Sequence, residues 1–461
     1  MVCMVMLRDY QKLIIENTRS VMRRGIRRIL ITSPTGSGKT MLVAHMIGEA
    51  ARRGKSALFL VHRVELLDQT EATFTLAGIP YGVIAAGRDY VPGHDVYIGS
   101  IDTVRRRLDR IPRPDLVVVD EAAHTPAKSW TDTVNAWPDA YRFGLTATPQ
   151  RLSGEGFDGL FDALVLGPST ADLIASGWLA PYRYYAPPGV DPTGLHVRAG
   201  DYIPAEAAAL MDKPRITGDA ISHYQRIAAG KRAIVFCASI QHSQNVAEQF
   251  AAAGIPARHV DGTTPTDERR AAMEDFRAGR ILALTNVGIF TEGVDVPGME
   301  ACILLRPTRS LALYLQMVGR VLRPAEGKTA LIIDHVNAVQ MHGLPDAPRE
   351  WTLYGQAKRT RAANDNDPVP VIRVCEMCYA ANPAVDICLY CGAALKKSQR
   401  EIKQIEGELA EVTQLEAERA RKDARREQGQ AKSVEELIAI GRSRGYKNPW
   451  YWANKVAAGR K

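Results

Sequence analysis

Nowhere does the 461-residue chain run to about 18 consecutive apolar residues, so the sequence offers no membrane-spanning helix. The start, residues 1–6, is apolar but is broken by Arg8 and Asp9, too soon for the apolar core of a secretory leader. Cysteine is scarce, with seven residues, four of them in two C-x-x-C pairs. That usage argues against a disulfide framework and for a metal site in a reducing, cytoplasmic setting. No internal repeat is visible. The charge is not extreme either: 59 Lys+Arg against 51 Asp+Glu leave +8, which permits a nucleic-acid partner without requiring one. Hydrophobic content of 46% and charged content of 24% exclude wholesale disorder, and the length allows two to four domains with their own cores.

Short β-branched runs alternate with helical stretches. Strands are expected at 29–32, 57–61, 96–99, 116–119 and 141–145, with helices at 41–53 and 65–77 between them. A second series follows at 233–236, 281–284, 302–305 and 330–333. Residues 181–200, rich in Pro and Gly, read as a linker or surface excursion. The pattern predicts an α/β protein with two tandem parallel-sheet domains. The expected division is 1–168, 169–345, a linker at 346–371, a small cysteine module at 372–395 and a basic helical and aromatic tail at 396–461.

Ser33-Pro34-Thr35-Gly36-Ser37-Gly38-Lys39-Thr40 follows the first strand and opens a helix, the setting of a phosphate-binding loop. Gly36 and Gly38 let backbone N–H groups curl around phosphate oxygens at a helix N-terminus. Thr35 and Ser37 lie in the same loop, Lys39 would neutralise the β- and γ-phosphates, and the Thr40 hydroxyl would ligate Mg²⁺. Ser33 stands where the usual signature has its first Gly. Asp120-Glu121-Ala122-Ala123-His124 ends another apolar strand, at the edge where parallel sheets bind ligands. There Asp120 would hold Mg²⁺ and Glu121 would orient or deprotonate water. In 316–323, a helical reading puts Gln316, Arg320 and Arg323 on one face, suited to a γ-phosphate during transfer.

In this order the segments resemble the motifs of superfamily 2 DExH-box helicases, including motors similar to type III restriction subunits and those of phages and prophages. The resemblance covers about residues 7–334 and implies two RecA-like domains with ATP and Mg²⁺ in the cleft between them. It places Gln11, in Leu7-Arg8-Asp9-Tyr10-Gln11, on adenine, and Gly293 and Asp295, in Thr291-Glu292-Gly293-Val294-Asp295, at the nucleotide. It implies that Arg63, Ser100, Thr103, Ser239, Thr285 and Asn286 line a nucleic-acid channel, by backbone contacts that carry little sequence preference. Thr146 and Thr148, in Thr146-Ala147-Thr148, would couple the two sites. The family carries His or Asp where this chain has Ala123, so His124 either takes over that coupling role or the contacts are made differently. The implied activity is ATP-driven helicase or translocase action, with DNA favoured over RNA. A second reading is the duplex-DNA motor of a restriction-type complex; replication or recombination partners are also compatible. A binding adaptor with degenerate motifs is disfavoured by the intact Lys39, Asp120, Glu121, Arg320 and Arg323.

Cys375-x-x-Cys378 and Cys388-x-x-Cys391 place four thiolates at two corners, which suits a closed, structural Zn²⁺ ribbon; free thiols or an iron–sulfur cluster are the alternatives. Most of the positive charge lies beyond this module: residues 394–461 hold 16 Lys+Arg against 10 Asp+Glu. Residues 396–432 are expected to be helical. The mixture of Tyr446, Trp450, Tyr451 and Trp452 with basic residues fits either base stacking or a small folded lid with an aromatic core.

Overall fold

The computed structural model describes residues 7–62, 64–124, 129–151, 154–290, 298–354, 372–395, 427, 431, 433–443 and 449–458. Seven strands form the first sheet: β1 (Arg28–Thr32), β2 (Ala57–Val61), β3 (Gly82–Ile84), β4 (Val96–Ser100), β5 (Leu116–Val119), β6 (Tyr141–Thr146) and β7 (Ala163–Leu166). Their order is β3-β4-β2-β5-β6-β1-β7, and every pairing is parallel. Runs such as Leu116-Val117-Val118-Val119 are buried on both faces, which explains why they read as continuous apolar segments. Ile29 and Ile31 join the core on one face with Phe59, Phe74 and Phe143. Leu30 joins the core on the other with Leu58, Val117 and Phe161. Residue alternation along a strand thus fills two apolar layers from one sheet.

The second sheet contains β8 (Tyr182–Tyr185), β11 (Ala233–Cys237), β12 (Ala257–Val260), β13 (Ala283–Asn286), β14 (Ala301–Leu305) and β15 (Ala330–Asp334). Its order is β12-β13-β11-β14-β15-β8, again all parallel. A small hairpin, β9 (Val197–Arg198) with β10 (Asp201–Tyr202), stands apart from it. The fold is therefore two RecA-like α/β domains in tandem, each with its own parallel sheet.

Three expectations shift. Residues 181–200 are not wholly linker, because Tyr182–Tyr185 is an edge strand, its Tyr184 fully buried and bonded through its hydroxyl to Asp334 Oδ2 at 3.0 Å. The strand expected at 281–284 begins two residues later, at Ala283. The helix expected through 316–323 ends at Gly319: Arg320, Val321 and Leu322 donate to the carbonyls three residues back, so the chain tightens into 3₁₀-type turns.

The cysteine module pairs β16 (Arg373–Val374) with β17 (Ala381–Asn382) and packs on the free edge of the second sheet. Tyr185 bridges to Ala380, and Ala186 N–H donates to Tyr379 O at 2.8 Å. An exposed edge strand is thereby covered. Residues Gln399–Lys461 form a separate compact unit. Its described part is two helices, Val434–Ser443 and Pro449–Ala458, around buried Leu437 and Ala453. Trp452 packs into this core, as a small folded unit with an aromatic core would have it, while Trp450 is exposed; Tyr446 and the side chain of Tyr451 lie outside the described residues. Apart from Glu427 and Ala431, residues 396–432, expected as a helix, lie outside the described residues. Among the described residues, no helix is long and apolar enough to cross a membrane.

Candidate active site

β1 delivers the phosphate loop to the C-terminal edge of the first sheet, and the helix Lys39–Ala51 leaves it. Gly36 and Gly38 have φ of 86° and 77°, left-handed values open to glycine and costly for other residues. Ser33 N–H donates to Thr146 O at 3.1 Å, tying the loop to the strand end that carries Thr146 and Thr148. Those two form a closed turn: Thr146 Oγ1 donates to Thr148 O at 2.6 Å and accepts from Thr148 N–H at 3.1 Å. A residue other than glycine is tolerated at Ser33 because the backbone there does not take a positive φ.

Lys39 folds back into its own loop, with Nζ donating to Ser33 O at 3.1 Å and Pro34 O at 3.4 Å. Burial pulls its pKa down. The carboxylates of Glu121 and Asp120 oppose that shift, and the guanidiniums of Arg320 and Arg323 add to it. Five charged groups from both domains therefore act on one another at one place. Burial, together with the charge of Glu121, pushes Asp120 up to about 6, while Lys39 pulls it down. Glu121 has φ of 47°, unusual for a side chain of its size. Its Oε2 is buried and makes no hydrogen bond among the described residues. A buried carboxylate oxygen with no partner, beside a second carboxylate and a lysine, fits Mg²⁺-bound phosphate and its attacking water.

Contacts between the domains are direct here. A Cβ added to Gly319 would lie 2.6 Å from Thr35 Cβ, and one added to Gly36 would lie 3.4 Å from Arg323 Cγ. Gln316 and Arg320 are buried beside this contact. Gln11 is buried as well: Nε2 donates to Ser37 O and Gly38 O at 3.4 and 3.2 Å, and Oε1 accepts from Arg8 N–H at 3.0 Å. Tyr10 OH donates to Ser37 O at 2.6 Å, a loop contact that sequence reasoning passed over although Tyr10 adjoins Gln11. Gln11 in this arrangement supports the loop.

The nucleic-acid candidates are placed differently. Ser100 Oγ donates to Thr103 Oγ1 at 2.9 Å, and Ser239 caps the next helix through His242 N–H at 3.2 Å. Thr285 Oγ1 donates to Ser243 O at 2.8 Å and Asn286 Nδ2 to Val235 O at 2.9 Å, both side chains fully buried. These side chains shape strand ends. Arg63, Gly293, Asp295 and the side chain of His124 lie outside the described residues.

Sequence reasoning missed a relay behind Thr285. Ser243 Oγ lies 2.7 Å from His259 Nδ1, and His259 Nε2 lies 3.2 Å from Asp261 Oδ2. Ser243 is fully buried, so no substrate reaches it and the set holds strand ends together. Only the pairing of β12 with β13, which sets His259 opposite Thr285, brings these residues together.

The four cysteines form a cluster whose Sγ atoms all lie within 4.8 Å of one another. Cys375–Cys391 and Cys378–Cys388 are 3.5 and 3.7 Å apart, against about 3.8 Å for a tetrahedron with Zn–S bonds of about 2.3 Å. Asn382, fully buried, donates from Nδ2 to Cys388 Sγ and accepts from Leu389 N–H at 2.9 Å, fixing one corner. Burial opposes ionisation of Cys388, yet backbone N–H groups and Asn382 bring its pKa down to about 6. The donor set fits a closed zinc site.

With this geometry in place, the comparisons become informative. Residues 4–151 match the family described as "Type III restriction enzyme, res subunit", and 213–325 match "Helicase conserved C-terminal domain". A 51.5 kDa protein of a Lactococcus phage is 36% identical over 382 residues, covering 82% of this chain and 81% of that protein. Saccharomyces cerevisiae IRC3, named as an ATP-dependent helicase, is 29% identical over 372 residues, 76% of this chain and 53% of its own length. A fragment described as the HsdR subunit of a type I restriction enzyme from Vibrio vulnificus YJ016 superimposes with a TM-score of 0.58. It is 23% identical and covers 74% of this chain and 67% of that one, a likeness of fold. Taken with the two sheets and their shared cleft, these matches establish that the chain belongs to the superfamily 2 helicases of the restriction-subunit-like type, which use ATP with Mg²⁺ to act as helicases or translocases on nucleic acid.

Proposed function

We propose that Lys39, Asp120 and Glu121 of the first domain and Arg320 and Arg323 of the second form one composite ATPase centre that moves the protein along DNA. The observation that carries this is the contact of the two domains at the phosphate loop, where Gly319 meets Thr35 and the Arg323 side chain lies against Gly36, bringing both guanidiniums near Lys39 and the two carboxylates. Lys39 neutralises the β- and γ-phosphates, and backbone N–H groups at Gly36 and Gly38 cradle them. Thr40 and Asp120 would hold Mg²⁺, which when bound would offset phosphate charge. Glu121 takes the proton of the attacking water through the oxygen that has no other described partner. Arg320 and Arg323 stabilise charge on the transferring group, and Gln316 sits beside them on the cleft wall. Loss of the γ-phosphate lets the domains part, and alternation of the two states ratchets the strand. Thr146 and Thr148 pass that change to the strand ends.

The strand ends carrying Ser100, Thr103, Ser239, Thr285 and Asn286 grip the nucleic-acid backbone mainly through main-chain groups, which gives little sequence preference. DNA is favoured over RNA because the family matched over 4–151 is described as a restriction-enzyme subunit. The four cysteines would hold a structural zinc, and keeping their thiols unoxidised calls for reducing surroundings such as the cytoplasm. A second reading, a duplex-DNA motor within a restriction-type complex, rests on the same description.

ATPase measured without nucleic acid and with single-stranded DNA, duplex DNA or RNA, followed by unwinding of forked DNA, separates these readings. Lys39→Ala and Glu121→Gln should abolish turnover, and robust hydrolysis by Glu121→Gln would overturn the assignment. Stimulation by duplex DNA without unwinding would favour the restriction-type motor.

A further inference from the structure

Residues 344–354 follow the last strand of the second sheet, yet they do not stay with the second domain. Their near end is fastened there. Arg349 donates from Nη1 to Pro345 O and Ala347 O, at 3.1 and 3.0 Å, and from Nη2 to His342 O and Leu344 O, at 3.0 and 2.8 Å. Asp346 accepts from Tyr182 OH, and Gly343 O accepts from Tyr314 OH at 3.0 Å. Their far end is fastened to the first domain: Leu353 O accepts from Phe157 N–H at 2.7 Å, and the Leu353 side chain packs against the core that contains Leu30, Phe157 and Phe161. Between these anchors, Trp351 closes one side of a cavity of about 330 Å³. Thr35 of the phosphate loop and Val318 and Gly319 of the helix before Arg320 line other sides of it.

The chain thus crosses between the domains a second time. The first crossing, after β7, is itself tied to both: Gly167 N–H donates to Thr32 O at 2.7 Å, and Ala180 N–H donates to Leu322 O at 2.8 Å. A single crossing leaves a hinge free to swing, whereas a second, short crossing fastened at both ends limits how far it opens. The four residue-to-residue steps from Arg349 to Leu353 can span at most about 14 Å fully extended. Wider opening of the cleft therefore requires Leu353 to leave the first domain.

We infer that residues 344–354 are a strap that positions Arg320 and Arg323 against the phosphate loop, with Leu353 as its anchor on the first domain. The Arg349 guanidinium is engaged by four backbone carbonyls, so the strap acts on the arginines through the domain contact at Gly319 and Thr35. Misplacing a catalytic group by about 1 Å can cost about a hundredfold in rate. The phosphate loop belongs to the first domain alone, so the strap should govern turnover more than nucleotide binding.

The test uses the full chain with Leu353→Asp, Trp351→Ala and the conservative Leu353→Met. Nucleic-acid-stimulated ATPase is read as separate kcat and KM, and interdomain distances are read between labels at exposed positions 13 and 240. Leu353→Asp should lower kcat about ten- to a hundredfold, change KM for ATP less than about threefold and broaden the distance distribution. Trp351→Ala should do the same more weakly, and Leu353→Met should restore the parental values. Parental kcat and distances in Leu353→Asp would overturn the proposal, as would a lowered melting temperature with unchanged kcat per folded molecule. Absence of turnover in the parent protein would instead count against the ATPase assignment on which the proposal rests.

Discussion

The nucleotide cleft and the expected nucleic-acid edge lie on the same strand ends, yet their side chains live differently. In the cleft, Asp120, Glu121 and Arg320 are buried charges with half-buried Lys39 and Arg323 beside them, drawn from two domains, and Glu121 Oε2 makes no hydrogen bond among the described residues. Along the edge, Ser100, Ser239 and Thr285 bond to neighbouring side chains or backbone, and Asn286 donates from Nδ2 to Val235 O while its Oδ1 makes no hydrogen bond among the described residues. The first arrangement stores unfavourable electrostatics that a bound phosphate relieves. The second spends its polar side chains on shaping main chain. Substitutions should therefore fall hard on activity in the cleft and softly on affinity along the edge.

The sharpest way to break this contrast is Asp120→Asn. Turnover should fall by about a thousandfold, because the carboxylate proposed to hold Mg²⁺ is gone. Stability of the nucleotide-free protein should nevertheless rise at pH 7, by about 1–3 kcal/mol. Asp120 holds its proton more tightly folded, at about 6, than its ordinary 3.8, so its ionised form costs the fold above that range. For the parent, that cost is relieved as pH drops through about 6 toward 4, while metal-dependent nucleotide binding weakens over the same interval. Melting curves and nucleotide titrations at pH 5 and 7 check both directions; an Asp120→Asn protein less stable than its parent at pH 7 would contradict the stored-strain account.

Next in size is the cysteine module. Cys375→Ser should cut bound zinc from about one equivalent to well below it and lower the melting temperature, since β17 and its bridge to Tyr185 cover the edge of the second sheet. Metal analysis of chelator-free protein checks this. Removing Gln399–Lys461 should weaken DNA binding and flatten its salt dependence while sparing basal ATPase, because half of the net +8 lies there, 14 Lys+Arg against 10 Asp+Glu. Smallest is Thr285→Val, with a stability loss of about 1 kcal/mol from one buried hydrogen bond and DNA affinity reduced only a few-fold. A hundredfold loss of affinity would mean that the Thr285 hydroxyl contacts nucleic acid after all.

How much of this was legible beforehand follows from what each residue has to do. Apolar β-branched runs announced the central strands because both of their faces are buried. The edge strand Ala257–Val260, with Arg258 and His259 in it, gave no such signal, and neither did Tyr182–Tyr185 beside its prolines. Gly36, Gly38, Lys39, Asp120 and Glu121 were legible because phosphate and metal chemistry admit few alternatives at that spacing. Arg320 and Arg323 were legible as residues but not in geometry: a continuous helix was expected, and the chain tightens after Gly319, where it meets Thr35. The strap could not be read at all. Glu350-Trp351-Thr352-Leu353 follows no period, and its partner Phe157 lies almost two hundred residues earlier.

The central claim, that one ATPase centre is assembled from both domains, is tested most directly by comparing nucleotide affinity and DNA-stimulated turnover in Arg320→Ala. The account predicts nucleotide affinity within a few-fold of the parent and turnover reduced about a thousandfold or more. Turnover at the parental rate would show that the first domain hydrolyses ATP without the second.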